Sequence, residues 1–364
     1  AGRCLLDAAA PAVVALICGA AIMAALDAHQ PPGPPGITVD EVFNVEQGVF
    51  LSESLRFYGW RALDPENLWD IFAQPEYLSD HPPLGRLWLG MFHAWGRGPI
   101  AQDGGSHFHV AAARAGSAAA FGLTILLVGF ATSRWYGRLA GFAAALALAI
   151  MPRLFGHAHL AALETFVGLT FTATVLGVAA FWSGPKRPTS TAAILTGALW
   201  GLTLLSKIQG VLLPVPIALW ALCRWRLRAI RPLLLWGVAA AVVFFVCWPW
   251  LWPDPLGRAR EYLMSTTERT PINVWYFGRQ YTDRAVPWHY APVLFLTIVP
   301  IGLQVLGCLG LAMPIGTLKT DARAQLLAAC LLFPLILFSV PGVVVYDGAR
   351  LFLVVFPLWA VFIG

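Results

Sequence analysis

The stretch AALETFVGLTFTATVLGVAAFW, residues 161–182, decides the fold class, because Glu164 is the only charged residue among its 22 residues. A helix that spans a lipid bilayer needs about 17–25 mostly apolar residues. The stretch therefore predicts a transmembrane helix with a carboxylate close to one membrane surface.

The rest of the chain has the composition of a membrane protein. Hydrophobic residues make up 58% and charged residues 12% of the 364 residues, with a mean hydropathy of +0.69. Soluble domains carry about twice this share of charge, so the composition excludes an ordinary soluble globule. We predict an all-α polytopic membrane protein with about ten transmembrane helices, near residues 8–26, 110–131, 137–152, 161–182, 190–206, 208–223, 232–252, 290–313, 325–345 and 350–364.

The basic residues predict the orientation of these spans, since short cytoplasmic loops are rich in Lys and Arg. With the amino terminus inside, the loops 133–138, 183–188, 223–232 and 314–324 contain ten Lys and Arg residues and one acid, Asp321. These loops face anionic lipid and explain the net charge of +5 without a nucleic-acid partner. We expect a single domain over 1–364, truncated at its carboxyl end, with exterior loops at 27–109 and 253–289.

The first exterior loop contains the string TVDEVFN at 38–44. Thr38 followed three residues later by Glu41 is a capping box, which predicts a helix start. On this amphipathic helix Asp40, Asn44 and Gln47 would lie opposite the valines at 42, 45 and 49. Asp40 has two interpretations: a functional carboxylate, or an acid placed in a first turn because the helix dipole favours it.

A second string in that loop, DHPPLG at 80–85, predicts an amphipathic juxtamembrane helix that begins at Pro82 or Pro83. Asp80 and His81 would lie at its amino end, where anions bind well, although Asp80 could simply cap the helix. Its buried stripe would consist of Leu84, Trp88, Met91 and Trp95.

Further ionisable residues lie at the outer ends of the predicted spans: Arg153, His157, His159, Glu164, Lys207 and Arg350. Such groups at membrane depth usually line a cavity or meet a charged partner. Outward acids with cations at the bilayer edge fit a donor in which a sugar is attached to a polyprenyl phosphate. We expect no required cofactor, although a divalent cation could bind Asp80, His81, His157 and His159.

Two strings together, Asp40-Glu41-Val42 and Asp80 to Gly85, resemble the first exterior loop of the protein O-mannosyltransferases. These belong to the GT-C glycosyltransferases, which also include the lipid A aminoarabinose transferases. Leu202–Gly210, with Ser206-Lys207, and Arg350–Leu353, with Pro357, are similar to two further strings of this group. Glu164 stands where relatives often have Asp, and His81 stands where aminoarabinose transferases tend to carry Lys.

The resemblance implies an inverting glycosyltransferase of the bacterial plasma membrane, active on the extracytoplasmic face. Mannose or another hexose or pentose would pass from a polyprenyl-phosphate donor to a hydroxyl of a protein, lipid or glycan. It implies Asp40 as general base and Lys207 as a contact of the donor phosphate. We also expect Glu41, Asp80, His81 and Glu164 at the donor, and we add Arg153 and Arg350 from their charge and membrane depth alone. Two alternatives are a transporter or flippase of lipid-linked sugars and a metal-dependent enzyme similar to oligosaccharyltransferases.

Overall fold

The structure, a computed structural model, describes residues 2–26, 37–96, 109–267, 270–312 and 321–364. Lys319 of the predicted inside loop 314–324 lies outside these ranges. The α-helices are α1 (Gly2–Leu26), α2 (Val39–Tyr58), α3 (Pro65–Ala73), α4 (Pro83–Gly96), α5 (Val110–Tyr136), α6 (Arg138–Ala149), α7 (Pro152–His157), α8 (Leu163–Trp182), α9 (Ser190–Ser206), α10 (Pro214–Trp225), α11 (Ile230–Val246), α12 (Pro255–Thr267), α13 (Tyr290–Ile298), α14 (Ile301–Ala312), α15 (Ala322–Leu337) and α16 (Phe356–Ile363).

Short 3₁₀ turns connect several of these helices, at Gly59–Leu63, Ile208–Leu212, Arg226–Ala229, Pro249–Leu251 and Arg350–Val355. The all-α prediction omitted one small sheet, which lies in the predicted second exterior loop. There β1 (Asn273–Tyr276) pairs antiparallel with β2 (Arg279–Thr282), so that Asn273 faces Thr282.

Within the described ranges, four helical segments are long and apolar enough to cross a bilayer: Leu5–Ala24, Val110–Tyr136, Leu163–Trp182 and Ile208–Val246. Helices α13 and α14 are a fifth candidate, although their axes are bent by 112° at the break between them. Four shorter apolar helices coincide with other predicted spans: Arg138–Ala149, Ser190–Ser206, Ala322–Leu337 and Arg350–Ile363. The chain is therefore a mostly helical membrane protein, and the count of ten spans stays a prediction.

The carboxyl-terminal segment is packed inside the helix bundle. All residues of α16 are buried, whereas Gly364, which follows the helix, is exposed. The side chains of Phe352, Phe356 and Trp359 are at most 2% exposed and belong to the main hydrophobic core. This packing places the turn at Arg350 beside the first turn of α8.

Helices α2 and α4 cross in direct backbone contact through two glycines. A Cβ atom on Gly90 would lie 1.9 Å from the carbonyl oxygen of Gly48, and a Cβ on Gly48 would lie 2.4 Å from that of Arg86. Any larger residue would push the helices apart. Near the amino end of α4, a Cβ on Gly85 would lie 3.3 Å from the Ser206 carbonyl oxygen. These contacts bring α2 and α4 against the ends of α8 and α9.

Helix α2 buries part of its polar face, and α4 buries a different face from the predicted stripe. In α2, Asn44 and Gln47 are buried, and Gln47 donates to the Glu76 carbonyl and accepts from the Leu78 N–H. Helix α4 begins at Pro83 as predicted, but Trp95 is 69% exposed. Its buried face is formed by Arg86, Leu89, Gly90 and His93. Both helices pack on other protein segments, which the amphipathic patterns did not reveal.

Candidate active site

Four charged side chains from distant parts of the chain form one continuous ion cluster: Asp40, Arg350, Glu164 and Lys207. Arg350 Nη2 donates to Asp40 Oδ2, and Arg350 Nε donates to Glu164 Oε1 at 2.6 Å. Lys207 Nζ donates to the same Glu164 oxygen. The ion cluster thus joins the predicted base to two of the three predicted cations.

Each member of the ion cluster lies where a helix begins or ends. Asp40 and Glu164 are in the first turns of α2 and α8, and Lys207 follows α9 with extended backbone angles. Arg350 follows a turn in which Asp347 and Gly348 both have positive φ, 54° and 68°. Asp and Gly are among the residues that adopt this left-handed conformation most readily. The turn directs Arg350 toward α2 and α8.

The ion cluster runs from the protein interior to an open side. The exposed fraction of the side chain is 1% for Glu164, 6% for Lys207, 18% for Arg350 and 43% for Asp40. A buried carboxylate is strongly disfavoured unless it is paired and hydrogen-bonded, which explains why two cations share Glu164. A ligand that approaches from solvent would therefore meet Asp40 and Arg350 first.

Asp347 and Arg153 extend the ion cluster on its open side. Arg350 Nη1 donates to Asp347 Oδ2 at 3.1 Å, and Arg153 Nη2 donates to the Asp347 carbonyl oxygen at 3.3 Å. The predicted Arg153 therefore joins the ion cluster through a backbone group. Asp347 was not among the predicted site residues, although its position three residues before Arg350 was a signal for it.

Two histidines lie beside the ion cluster in their neutral forms. Burial, together with the charges of Lys207 and Arg86, lowers the pKa of His81 to about 3. Burial lowers the pKa of His157 to about 4. Neither ring contributes a positive charge at neutral pH, so His81 does not replace the charge of a lysine.

A cavity of about 20 Å³ lies next to the Glu164 side chain. It has room for about one water molecule. Glu164, Thr165 and His157 line it, and each has one buried side-chain atom without a hydrogen-bond partner in the described part of the protein: Oε2, Oγ1 and Nδ1. The cavity is too small for a sugar ring, so a sugar would have to occupy the open side near Asp40.

Glu41 lies apart from the ion cluster and is fully buried. Arg114 donates to both of its oxygens, at 2.6 and 2.9 Å, and the Ala161 N–H donates at 2.8 Å. The Thr38 N–H donates at 3.0 Å, as the capping box predicts. Burial alone would raise the pKa of Glu41, but these hydrogen bonds hold the pKa below its usual value. The contacts give Glu41 a structural function, while donor binding by it stays a prediction.

Asp80 also has a structural partner. Arg86 Nη1 and Nη2 donate to its two oxygens at 2.8 and 3.0 Å, and Nη1 also donates to the Leu78 carbonyl. Burial opposes ionisation, yet this pairing holds the pKa of Asp80 below its usual value. The sequence analysis did not identify Arg86 or Arg114 as partners. Their signal was the position of an arginine in a predicted buried or membrane helix, where a counter-ion is required.

The predicted metal ligands do not converge. Within the described ranges, no three His, Cys, Asp or Glu side chains are arranged to hold a metal ion. Asp80 pairs with Arg86, and His159 Nδ1 lies 2.8 Å from the Phe155 carbonyl oxygen. The geometry therefore gives no support to a site formed by Asp80, His81, His157 and His159.

Comparison with known proteins identifies the fold. Residues 80–252, somewhat less than half of the chain, match a family model described as dolichyl-phosphate-mannose-protein mannosyltransferase. The crystal structure of ArnT from Cupriavidus metallidurans bound to undecaprenyl phosphate has a TM-score of 0.59 to this protein. The chain has the fold of ArnT. This confirms the resemblance to the GT-C glycosyltransferases at the level of the fold.

The likeness to ArnT extends over the whole chain at low sequence identity. The complex with undecaprenyl phosphate is 17% identical and covers 100% of this chain and 59% of that chain. The apo structure of ArnT, also 17% identical, has a TM-score of 0.57 and covers 87% of this chain and 54% of that chain. This chain thus spans less than two thirds of the length of ArnT. No curated protein sequence matches the chain significantly.

The matched residues include only part of the ion cluster. Glu164 and Lys207 lie within the range 80–252 that the mannosyltransferase family model covers, whereas Asp40 and Arg350 lie on either side of it. The ion cluster therefore depends on contacts between the matched region and both flanking regions.

Proposed function

We propose that this protein transfers a sugar from a polyprenyl-phosphate donor to an acceptor hydroxyl, with Asp40 as the general base. The observation that carries this proposal is the ion cluster itself, in which an accessible carboxylate adjoins Arg350, Glu164 and Lys207. The ArnT fold, the undecaprenyl phosphate of one ArnT structure and the mannosyltransferase family model support a lipid-phosphate donor.

The positive charges would receive the donor phosphate. His81 and His157 are neutral, so the available charges are those of Arg350, Lys207 and Arg153. Guanidinium groups bind phosphate oxygens in a bidentate manner, and these charge-assisted bonds are stronger than neutral ones. They would also stabilise the charge that grows on the phosphate oxygen as the sugar leaves. A leaving phosphate needs no proton, so a single carboxylate is sufficient for the reaction.

Asp40 would remove the proton of the acceptor hydroxyl as its oxygen attacks the anomeric carbon and inverts it. Before the donor binds, Arg350 holds this carboxylate in an ion pair. A donor phosphate competes for the same guanidinium. Transfer of Arg350 from Asp40 to the phosphate would leave the base free to act only when a donor is present.

We place this reaction on the extracytoplasmic face of a bacterial plasma membrane, because the predicted inside loops contain the basic residues. In this arrangement the chain crosses the membrane ten times, and α2 and α4 are juxtamembrane helices. Residues 27–109 and 253–289 form exterior loops. The acceptor is a hydroxyl of a protein, a lipid or a glycan.

The test compares Asp40→Asn with Glu46→Gln, which removes an exposed carboxylate from the same helix. The purified proteins are incubated with polyprenyl-phosphate sugars and membrane extract, and released polyprenyl phosphate is measured by mass spectrometry. We expect about 100-fold or greater loss of turnover in Asp40→Asn and wild-type turnover in Glu46→Gln. Wild-type turnover in Asp40→Asn would remove the proposed base.

A second comparison identifies the sugar and the acceptor. Mass spectra of lipid extracts and glycans from cells with and without the gene should differ by one sugar residue on the acceptor. Identical spectra, together with an inactive purified protein, would contradict the transferase proposal.

A further inference from the structure

A basic hollow of about 710 Å³ opens at the end of the bundle opposite the ion cluster. It lies between the α8–α9 connection and the start of α11. Lys186 and Arg187 line one wall, and Arg228 and Arg231 line the other. Since Glu164 is at the start of α8 and the hollow is beyond its end, about 30 Å separates the two sites.

The charge of the basic hollow is not balanced. The sequence contains no Asp or Glu between Glu164 and Asp254. In the described part of the protein, none of the four cations makes an ion pair or side-chain hydrogen bond, and all four are exposed. Like charges around one hollow repel each other, so an anion that binds there would relieve the repulsion.

Two other features of the basic hollow bear on its ligand: a helix amino end favours a phosphate group, and an indole ring favours a position at the membrane interface. Thr189 caps α9, accepting a hydrogen bond from the Ala192 N–H at 3.1 Å, and this 17-residue helix begins at the hollow. The amino end of a helix attracts phosphate through its free N–H groups and its dipole. Trp225 also lines the hollow, and the centroid of its ring lies 6.3 Å from that of Trp182. Indole rings of this kind are common at membrane interfaces.

Apolar residues next to these cations indicate that the ligand also has hydrocarbon chains. In the segment Arg226-Leu227-Arg228-Ala229-Ile230-Arg231 the basic residues are separated by apolar ones. The exposed fraction is 79% for Leu227, 46% for Ile230 and 63% for Leu234. Ile230 and Leu234 belong to the segment Ile208–Val246, which is long and apolar enough to cross a bilayer. The cations therefore adjoin a surface along which the acyl chains of a bound lipid can lie.

We propose that the basic hollow binds the phosphate headgroup of an anionic phospholipid. The headgroup phosphate lies between the two basic walls at the start of α9, and its acyl chains lie along the apolar residues of α11. This site is separate from the proposed transferase site, and its ligand is a lipid of the surrounding membrane.

Native mass spectrometry of the detergent-purified full chain tests this proposal with two probes, dioleoyl phosphatidylglycerol and dioleoyl phosphatidylcholine. We expect preferential retention of phosphatidylglycerol. A side chain that donates a hydrogen bond to the charged headgroup phosphate contributes about tenfold to its binding. Arg228→Gln and Arg231→Gln should each weaken retention by about that factor, and the double variant by more than either alone.

Arg226→Gln is the matched control, because Arg226 is exposed in the same segment but does not line the hollow. We expect less than about a twofold change in it. An equal loss in Arg226→Gln and Arg228→Gln would mean general surface attraction and would overturn the proposal. Lys186→Gln tests the opposite wall independently, so the test does not depend on one segment.

Soluble glycerol 3-phosphate provides the other arm of the experiment. We expect it neither to displace phosphatidylglycerol nor to raise the unfolding temperature at millimolar concentration. Displacement by glycerol 3-phosphate at the same concentration as the lipid would identify a site for a soluble phosphate compound and overturn the lipid assignment.

Discussion

Replacement of Glu164 by Gln is the perturbation whose outcome the structure defines most sharply. The change keeps the shape of the side chain but removes its charge, so Lys207, only 6% exposed, loses its carboxylate partner. Arg350 keeps Asp40 and Asp347 as partners. Loss of one member of a buried ion pair costs about 3–5 kcal/mol, because the other charge is left uncompensated. We expect the free energy of unfolding to fall by about this amount.

The measurement is SDS-induced unfolding in mixed micelles, followed by the fluorescence of the 16 tryptophans. The double variant Glu164→Gln/Lys207→Met removes both charges and leaves similar volumes, and such replacements are often close to neutral. We therefore expect it to unfold within about 1 kcal/mol of the wild type while remaining inactive. Asp7→Asn, at an ion pair with the exposed Arg134 and Arg138, should cause a smaller loss.

Two results would refute the reasoning. Glu164→Gln could unfold at the same SDS fraction as the wild type, which would show that Lys207 needs no counter-ion. Alternatively, the losses of Glu164→Gln and Lys207→Met could simply add in the double variant, which would show that the two charges are not coupled.

Three further outcomes are expected. Gly90→Ala should destabilise the protein by about 1–3 kcal/mol in the same SDS assay. The control is Gly237→Ala, where a Cβ would have no neighbour within 4 Å, and it should not destabilise the protein. Equal effects of the two changes would contradict the close helix crossing. The pKa values of His81 and His157 lie below the ordinary value of 6.5, so stability should be complete above about pH 6.5 and should fall as the pH decreases toward about 4. Thermal unfolding measured at several pH values checks this, and a flat profile between about pH 7 and about pH 5 would contradict it. Arg86→Lys should lower the unfolding temperature because one ammonium cannot replace the bidentate bond and the backbone contact; an unchanged value would contradict that function.

Several local features followed from the sequence because they depend on residues close together in the chain. The Thr38 and Glu41 pair gave the start of α2, and Pro83 gave the start of α4. Apolar runs such as 110–131 and 161–182 predicted helices that are long and apolar enough to cross a bilayer.

The internal faces of α2 and α4 could not be predicted, since their partners lie on other elements. Asn44 and Gln47 belong to the predicted polar face, yet both are buried: Asn44 accepts from Arg86 Nε of α4, and Gln47 accepts from the Leu78 N–H of the loop before α4. The glycine contact between Gly48 and Gly90 has no signature in either helix alone. Amphipathic patterns show that a face differs from its opposite but do not show what covers it.

The sequence by itself determined which residues can carry charge in an apolar protein and at which ends of the helices they lie. Only the tertiary structure decided the pairing, in which Glu164 binds Lys207 and Arg350 while Glu41 binds Arg114. The reason is physical: a buried charge requires a counter-ion within a few ångströms. Which cation lies within that distance depends on how chain segments up to 310 residues apart pack together.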